Sequence, residues 1–149
     1  MAGYTDSDWV GCASDRKSTS GCCFGLGSAV ASWFNRKQKS VALSSFEAEY
    51  IPASQASCEG IWLRKLLYGL FDQEWRPTVI QCDNQSCIKL IENPMFHDRS
   101  KHIDLRYHFM RDYVRKGPMK LEYISIDEQV VNVLTKSFPR GKFLGKREC

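Results

Sequence analysis

A chain of 149 residues, 43% of them hydrophobic and 26% charged, fits one domain with a full core, since single domains most often run about 100 to 150 residues. No apolar run approaches the roughly 18 residues needed to cross a bilayer, and the opening Met-Ala-Gly-Tyr-Thr-Asp lacks the basic and apolar parts of a secretory signal. An intracellular protein, cytoplasmic or nuclear, is expected. The net charge of +4 leans mildly toward polyanionic partners, and the seven cysteines show no paired C-x-x-C spacing that would imply a disulfide framework or a zinc knuckle.

Gly3 to Val10 alternates β-favouring residues with acids, as in a strand that carries an acid to a sheet edge. A polar loop follows, then strand candidates Cys22 to Leu26 and Ala29 to Asn35, joined at Gly27-Ser28 by a tight hairpin whose first turn residue tolerates positive φ. Ser44 or Ser45 can cap the long helix that begins near Glu47. Glu47, Ile51, Ser54, Cys58 and Ile61 recur at helical spacing and are expected to face the core, with Leu63, Leu66, Leu67 and Leu70 burying the far end. Pro52 is the misfit there, because it removes one backbone donor and presses on the carbonyl of Ala48, which calls for a kink.

Thr78 to Cys82 reads as a buried central strand ending in Asp83-Asn84. Helices are expected over Gln85 to Glu92 and Arg99 to Lys116, the latter stopped by Gly117-Pro118. Met119 to Ser125 alternates as a strand, and Ser125-Ile126-Asp127-Glu128 has the form of a capping box ahead of a helix over Val130 to Lys136. The basic tail, residues 137–149, is expected to be loosely ordered. The order β-β-β-α-β-α-α-β-α implies an α/β fold with a five-stranded mixed sheet covered by helices, in a single domain spanning 1–149. Ligands of such sheets gather near strand carboxyl ends, which directs attention to Asp6 and Asp83.

Mg²⁺ takes oxygen ligands and needs a few converging carboxylates. Asp6, Glu47 and Asp83 meet that need if the sheet is as expected, although acids at helix starts and strand ends serve equally as caps or solvated surface. The stretches GYTDSDW, DRKSTSG, RKQKSVALSSFEAEY, WLRKLL, CDNQSCI, KHIDLRYHFMR and LEYISIDEQVVNVLTK resemble, in order and spacing, the ribonuclease H domain that ends the polyprotein of copia-type retrotransposons. The resemblance runs from about Gly3 to Phe143.

That resemblance implies an RNase H-like fold, a reverse transcriptase as the neighbouring domain, and hydrolysis of the RNA strand of RNA·DNA hybrids with two Mg²⁺ or Mn²⁺ ions. It implies that Asp6 bridges both ions, with Glu47 and Asp83 on the leaving-group side. The family's fourth acid falls on Asn132, whose amide offers an oxygen but no charge, so the nucleophile-side ion and the activity are expected to be weakened. Pro52 and Phe46 are further departures from the family pattern. His102 is a candidate proton carrier or a structural hydrogen-bonding residue. Arg16, Lys17, Arg36, Lys37, Lys39, Asn84 and Lys101 are candidates for nucleic-acid contact, or ordinary surface. Trp33 and Trp62 are expected in the core. Three functions stay open: an impaired nuclease, a silent nucleic-acid-binding module, or a domesticated protein-interaction domain.

Overall fold

The computed structural model describes residues 1–9, 11, 14–92 and 101–136, with only the backbone described at 90 and 101–107. The elements are β1 (Ala2–Asp8), β2 (Thr19–Leu26), β3 (Ala29–Lys37), α1 (Ser45–Phe71), β4 (Thr78–Cys82), α2 (Gln85–Glu92), α3 (Lys101–Lys116), β5 (Met119–Tyr123) and α4 (Asn132–Thr135), in the expected order. They build a five-stranded sheet ordered β3-β2-β1-β4-β5. The β1–β2 and β2–β3 pairs are antiparallel, and the β1–β4 and β4–β5 pairs are parallel.

The hairpin turns at Gly27, whose φ of 62° is open to glycine at little cost. β2 starts three residues earlier than its apolar run, because Thr19 and Ser20 continue the ladder opposite Asp8 and Ser7. One sheet face packs on α1, α2 and α3. Phe24, Cys22, Ile80 and Met119 meet Ala56 and Leu63 there, and Cys82 and Leu121 meet Tyr50, Ala53, Ile91 and Met110. A Cβ on Gly3 would collide with the Phe24 ring, so that glycine makes room for the largest side chain between β2 and α1.

Ser44 caps α1 by accepting from the Glu47 N–H at 3.1 Å, while the Glu47 carboxylate accepts from the Leu43 N–H at 2.8 Å. The helix then runs unbroken through Pro52 to Phe71. The carbonyl that Pro52 orphans, that of Ala48, accepts instead from Gln38 Nε2 at 2.9 Å. A glutamine at the end of β3 thus stands in for the missing amide proton, and the buried carbonyl keeps a partner.

The sheet-facing stripe of α1 is Glu49, Ala53, Ala56, Gly60, Leu63 and Leu67, all buried. This phase lies two residues off the expected one, of which Glu47 and Ser54 are buried all the same. Cys58 is exposed and Ile51 and Ile61 are only half-buried. Leu66 and Leu70, expected in the core, are exposed for the same reason. Trp62 is 55% exposed on the outer side of α1, and Trp33 is 64% exposed on the edge strand, so both depart from the expected core placement.

The expected last helix shrinks to one turn. Ser125 Oγ donates to the Glu128 carboxylate at 3.2 Å instead of capping a helix, and residues 126–128 form a turn. The basic tail at 137–149 and the Asn93-Pro94 stop lie outside the described residues.

Candidate active site

β1 and β4 are parallel neighbours, and Thr5 pairs with Cys82, so the next residues, Asp6 and Asp83, emerge side by side at one end of the sheet. Asp6 is fully buried. Its ladder partner is Gly21, and cross-strand partners share a face. A Cβ at Gly21 would stand 2.5 Å from Thr135 Cγ2 and 2.8 Å from Val131 Cγ1. The bare glycine therefore lets the segment around α4 settle over β1 and β2, on the face opposite the main core. That approach delivers two donors to Asp6. Thr135 Oγ1 donates to Oδ2, and Lys136 Nζ stands 3.1 Å from Oδ1. Gln129 fixes the same segment from its other end by donating to the Thr5 carbonyl at 2.9 Å.

The glutamate brought to these aspartates is Glu49, not Glu47. Residues two apart on a helix point about 200° apart, so only one of the two can face the strand ends. Glu47 is spent on the helix start. Glu49 is 8% exposed, and its Oε1 accepts from the Ser7 N–H at 3.1 Å, while Oε2 is buried without a hydrogen-bond partner among the described residues. Donor atoms of Glu49, Cys82 and Asp83 lie within 4.8 Å of one another, a group able to hold a metal ion. The signal in the sequence was the small-residue stripe. Ala53, Ala56 and Gly60 mark the face that lies close to the sheet, and continuing that phase toward the N-terminus reaches Glu49.

The electrostatics follow from three neighbouring acids, of which Asp6 and Glu49 are buried and Asp83 is half-buried. Burial, then Asp6, Asp83 and Cys82, push the Glu49 carboxyl up to about 10, against a smaller opposing effect of the Ser7 amide. Asp83 is also raised, by burial first and then by Asp6, with Lys136 opposing. Asp8, two residues further along β1 on the same face, is raised by burial, lowered by Lys136 and raised by Asp6. An orphaned carboxylate oxygen beside like charges fits a hard dication, because carboxylate oxygens are its preferred ligands.

Asn132 is 2% exposed and doubly used. Its Nδ2 donates to the Ile126 carbonyl at 2.7 Å, and its Oδ1 accepts from Lys136 Nζ at 2.9 Å. An aspartate in this pose would set an oxygen against the Ile126 carbonyl, so the amide fits its local pocket.

Arg16 and Lys17 follow β1, and Arg36, Lys37 and Lys39 end β3, all at the end of the sheet that carries Asp6 and Asp83. Lys37 is tied to Asp15 at 2.8 Å, and the Arg36 guanidinium lies 5.3 Å from the Phe34 ring centre. Phe34 and Arg36 also line an open groove of about 480 Å³ with Gln55, Cys58, Glu59 and Phe109. Asn84 has another task. Its Oδ1 accepts from the Cys87 N–H at 3.0 Å and so caps α2. The side chains of Lys101 and His102 lie outside the described residues.

The architecture matches ribonuclease H structures. LC11-RNase H1 in complex with an RNA/DNA hybrid aligns with a TM-score of 0.63 over 90% of this chain and 92% of that one, at 8% identity. The N-terminal RNase H domain of a Mycobacterium tuberculosis protein, solved as a fusion with maltose binding protein, aligns at 0.63 over 99% and 97%, again at 8% identity. The foamy viral protease-reverse transcriptase in complex with RNA/DNA hybrid aligns at 0.65 over 96% of this chain and 20% of that one, at 12% identity. The chain therefore has the ribonuclease H fold.

Sequence gives the closer kinship. The chain is 44% identical over 145 residues to the retrovirus-related Pol polyprotein from transposon TNT 1-94 of Nicotiana tabacum, covering 96% of this chain and 11% of the polyprotein. It is 41% and 42% identical over 140 residues to the corresponding polyproteins from transposons RE1 and RE2 of Arabidopsis thaliana, covering 94% of this chain and 10% of each. The chain thus combines the ribonuclease H fold with homology to a segment of plant retrotransposon Pol polyproteins, and it spans about a tenth of their length. No protein-family profile matches it. No helix among the described residues is long and apolar enough to cross a membrane.

Proposed function

We propose that this domain is a divalent-metal nuclease that cleaves the RNA strand of RNA·DNA hybrids, with Asp6, Glu49 and Asp83 as its metal-holding acids. One observation carries the reading: three elements deliver three carboxylates to one end of the sheet, where the buried Glu49 Oε2 has no hydrogen-bond partner among the described residues. Mg²⁺ or Mn²⁺ bound there would supply Lewis-acid charge for phosphodiester hydrolysis. The chain's own part is positioning. Ser7 fixes Glu49, Thr135 fixes Asp6, and burial keeps bulk water from these two carboxylates, while Asp83 is half-buried.

Arg16, Lys17, Arg36 and Lys39, at the same sheet end, suit the phosphate backbone of a hybrid, and Phe34 gives Arg36 an apolar platform. Homology to Pol polyproteins suits an origin beside a reverse transcriptase and an intracellular site of action. Asn132 brings no negative charge to the fourth position, which supports slow turnover and leaves hybrid binding intact.

The test is cleavage of a labelled RNA·DNA hybrid in Mg²⁺ and in Mn²⁺ by the wild type, Asp6→Asn, Glu49→Gln and Glu47→Gln. Slow cleavage that survives Glu47→Gln and vanishes in the other two variants is expected. No cleavage by any form, with salt-sensitive hybrid binding by all, would replace the nuclease reading with a silent binding module. Equal loss in Glu47→Gln and Glu49→Gln would overturn the assignment of Glu49.

A further inference from the structure

The acid cluster already contains a cation of its own. Lys136 Nζ lies 3.1 Å from Asp6 Oδ1 and 2.9 Å from Asn132 Oδ1, bridging the first-strand acid and the amide that takes the fourth position. Its side chain is 31% exposed and Asp6 is fully buried, so the pair is partly desolvated and weakly screened. The contact is set by the fold. The close approach at Gly21, the Gln129 bond to Thr5 and the Asn132 bond to Ile126 all fix the segment that carries Lys136.

Building on the metal-dependent reading above, we propose that the Lys136 ammonium is a resident second cation of this site. It competes with divalent ions for Asp6 and limits the cluster to one tightly held ion. Charge balance supports this. Once a bound dication has displaced the Glu49 proton, the metal-holding acids Asp6, Glu49 and Asp83 carry three negative charges, which that dication and one ammonium neutralise, and Asp8 stands beside them at the rim of the site. An acid at position 132 would add a fourth negative charge and make room for a second dication. With an amide there, a second dication would leave the site with excess positive charge, and Lys136 would be expelled from two hydrogen bonds.

The test is Mn²⁺ binding to the intact chain without nucleic acid, followed by the electron paramagnetic resonance signal of free Mn²⁺. The forms compared are the wild type, Lys136→Met, Lys136→Gln, Lys136→Arg and the double variant Asn132→Asp with Lys136→Met, with near-UV circular dichroism to confirm folding. The wild type should bind one ion. Lys136→Met and Lys136→Gln should bind it at least about tenfold tighter, the effect of one unit charge on a dication about 5 Å away even at the dielectric constant of water. Lys136→Gln keeps donors for Asp6 and Asn132, so it serves if the apolar replacement unfolds. Lys136→Arg should stay within about twofold of the wild type, because the charge is kept. The double variant should take up a second ion.

Unchanged or weaker affinity in both neutral variants, or two ions of similar affinity in the wild type, would sink the inference and leave the metal site standing. Absence of Mn²⁺ binding in every form would remove the metal-dependent reading and this inference with it.

Discussion

Replacing Glu49 by glutamine should make the metal-free protein more stable at neutral pH. In the unfolded chain this carboxyl titrates near its ordinary 4.5, whereas burial and its acidic neighbours push it up to about 10 in the fold. Between these values the native state holds a proton that the unfolded state releases. Native stability is therefore full below about pH 4.5 and declines as pH rises toward 10. At about 1.4 kcal/mol per pH unit, holding that proton at pH 7 costs about 3 kcal/mol. The glutamine amide keeps an oxygen for the Ser7 N–H and has no proton to lose. Urea unfolding in EDTA at pH 5, 6, 7 and 8 should show Glu49→Gln gaining on the wild type with each step, passing about 3 kcal/mol at pH 7. Glu47→Gln should instead lose about 1 kcal/mol at every pH, because the Leu43 N–H trades a charged acceptor for a neutral one. A gap between Glu49→Gln and wild type that does not widen with pH would refute this account of the buried cluster.

Gln38→Leu should cost about 1 to 3 kcal/mol in chemical unfolding, because the Ala48 carbonyl then lies buried without a partner. In a Pro52→Ala background, where a backbone N–H is again available, the same substitution should cost at least about 1 kcal/mol less. Gly21→Val should destabilise by about 1 to 3 kcal/mol and expose residues 131–136 to limited proteolysis, since its side chain occupies the space of Thr135 and Val131. Ser44→Ala should lower the melting temperature through loss of about 1 kcal/mol of helix capping.

The element order was legible because each strand carries a short β-rich run closed by a turn residue, and each long helix a periodic pattern. The pair Asp6 and Asp83 was equally legible, as acids that follow apolar strands land where parallel neighbours end. The choice between Glu47 and Glu49 was not, because two interleaved stripes on α1 have the same spacing. Only the small residues Ala53, Ala56 and Gly60 separate them, since a close sheet admits little else. Pro52 misleads for a different reason. Its cost is removed by Gln38, ten residues before Ala48, a tertiary contact that no local rule contains. Trp33 and Trp62 show the limit of hydrophobicity as a guide to burial, because position on an edge strand or on the outer side of a helix decides the matter. The shortened final helix reflects its docking on Gly21, which fixes the segment by contact with the sheet more than by its own hydrogen bonds.

The outermost position of β3 has a consequence for the behaviour of the domain at high concentration. Among the described residues no strand pairs with the outer row of backbone groups of β3, and Val30 and Trp33 are more than 60% exposed along it, a surface onto which another strand can add. Arg36 and Lys37 end that strand, with Lys39 just beyond. A second copy adding in parallel register would set these cations against their own counterparts, whereas an antiparallel approach would bring Trp33 toward Trp33 and hold the cations apart. Salt that screens the repulsion removes the bar to the first arrangement, so the ionic strength of storage selects how far this sheet resists growing beyond its own five strands.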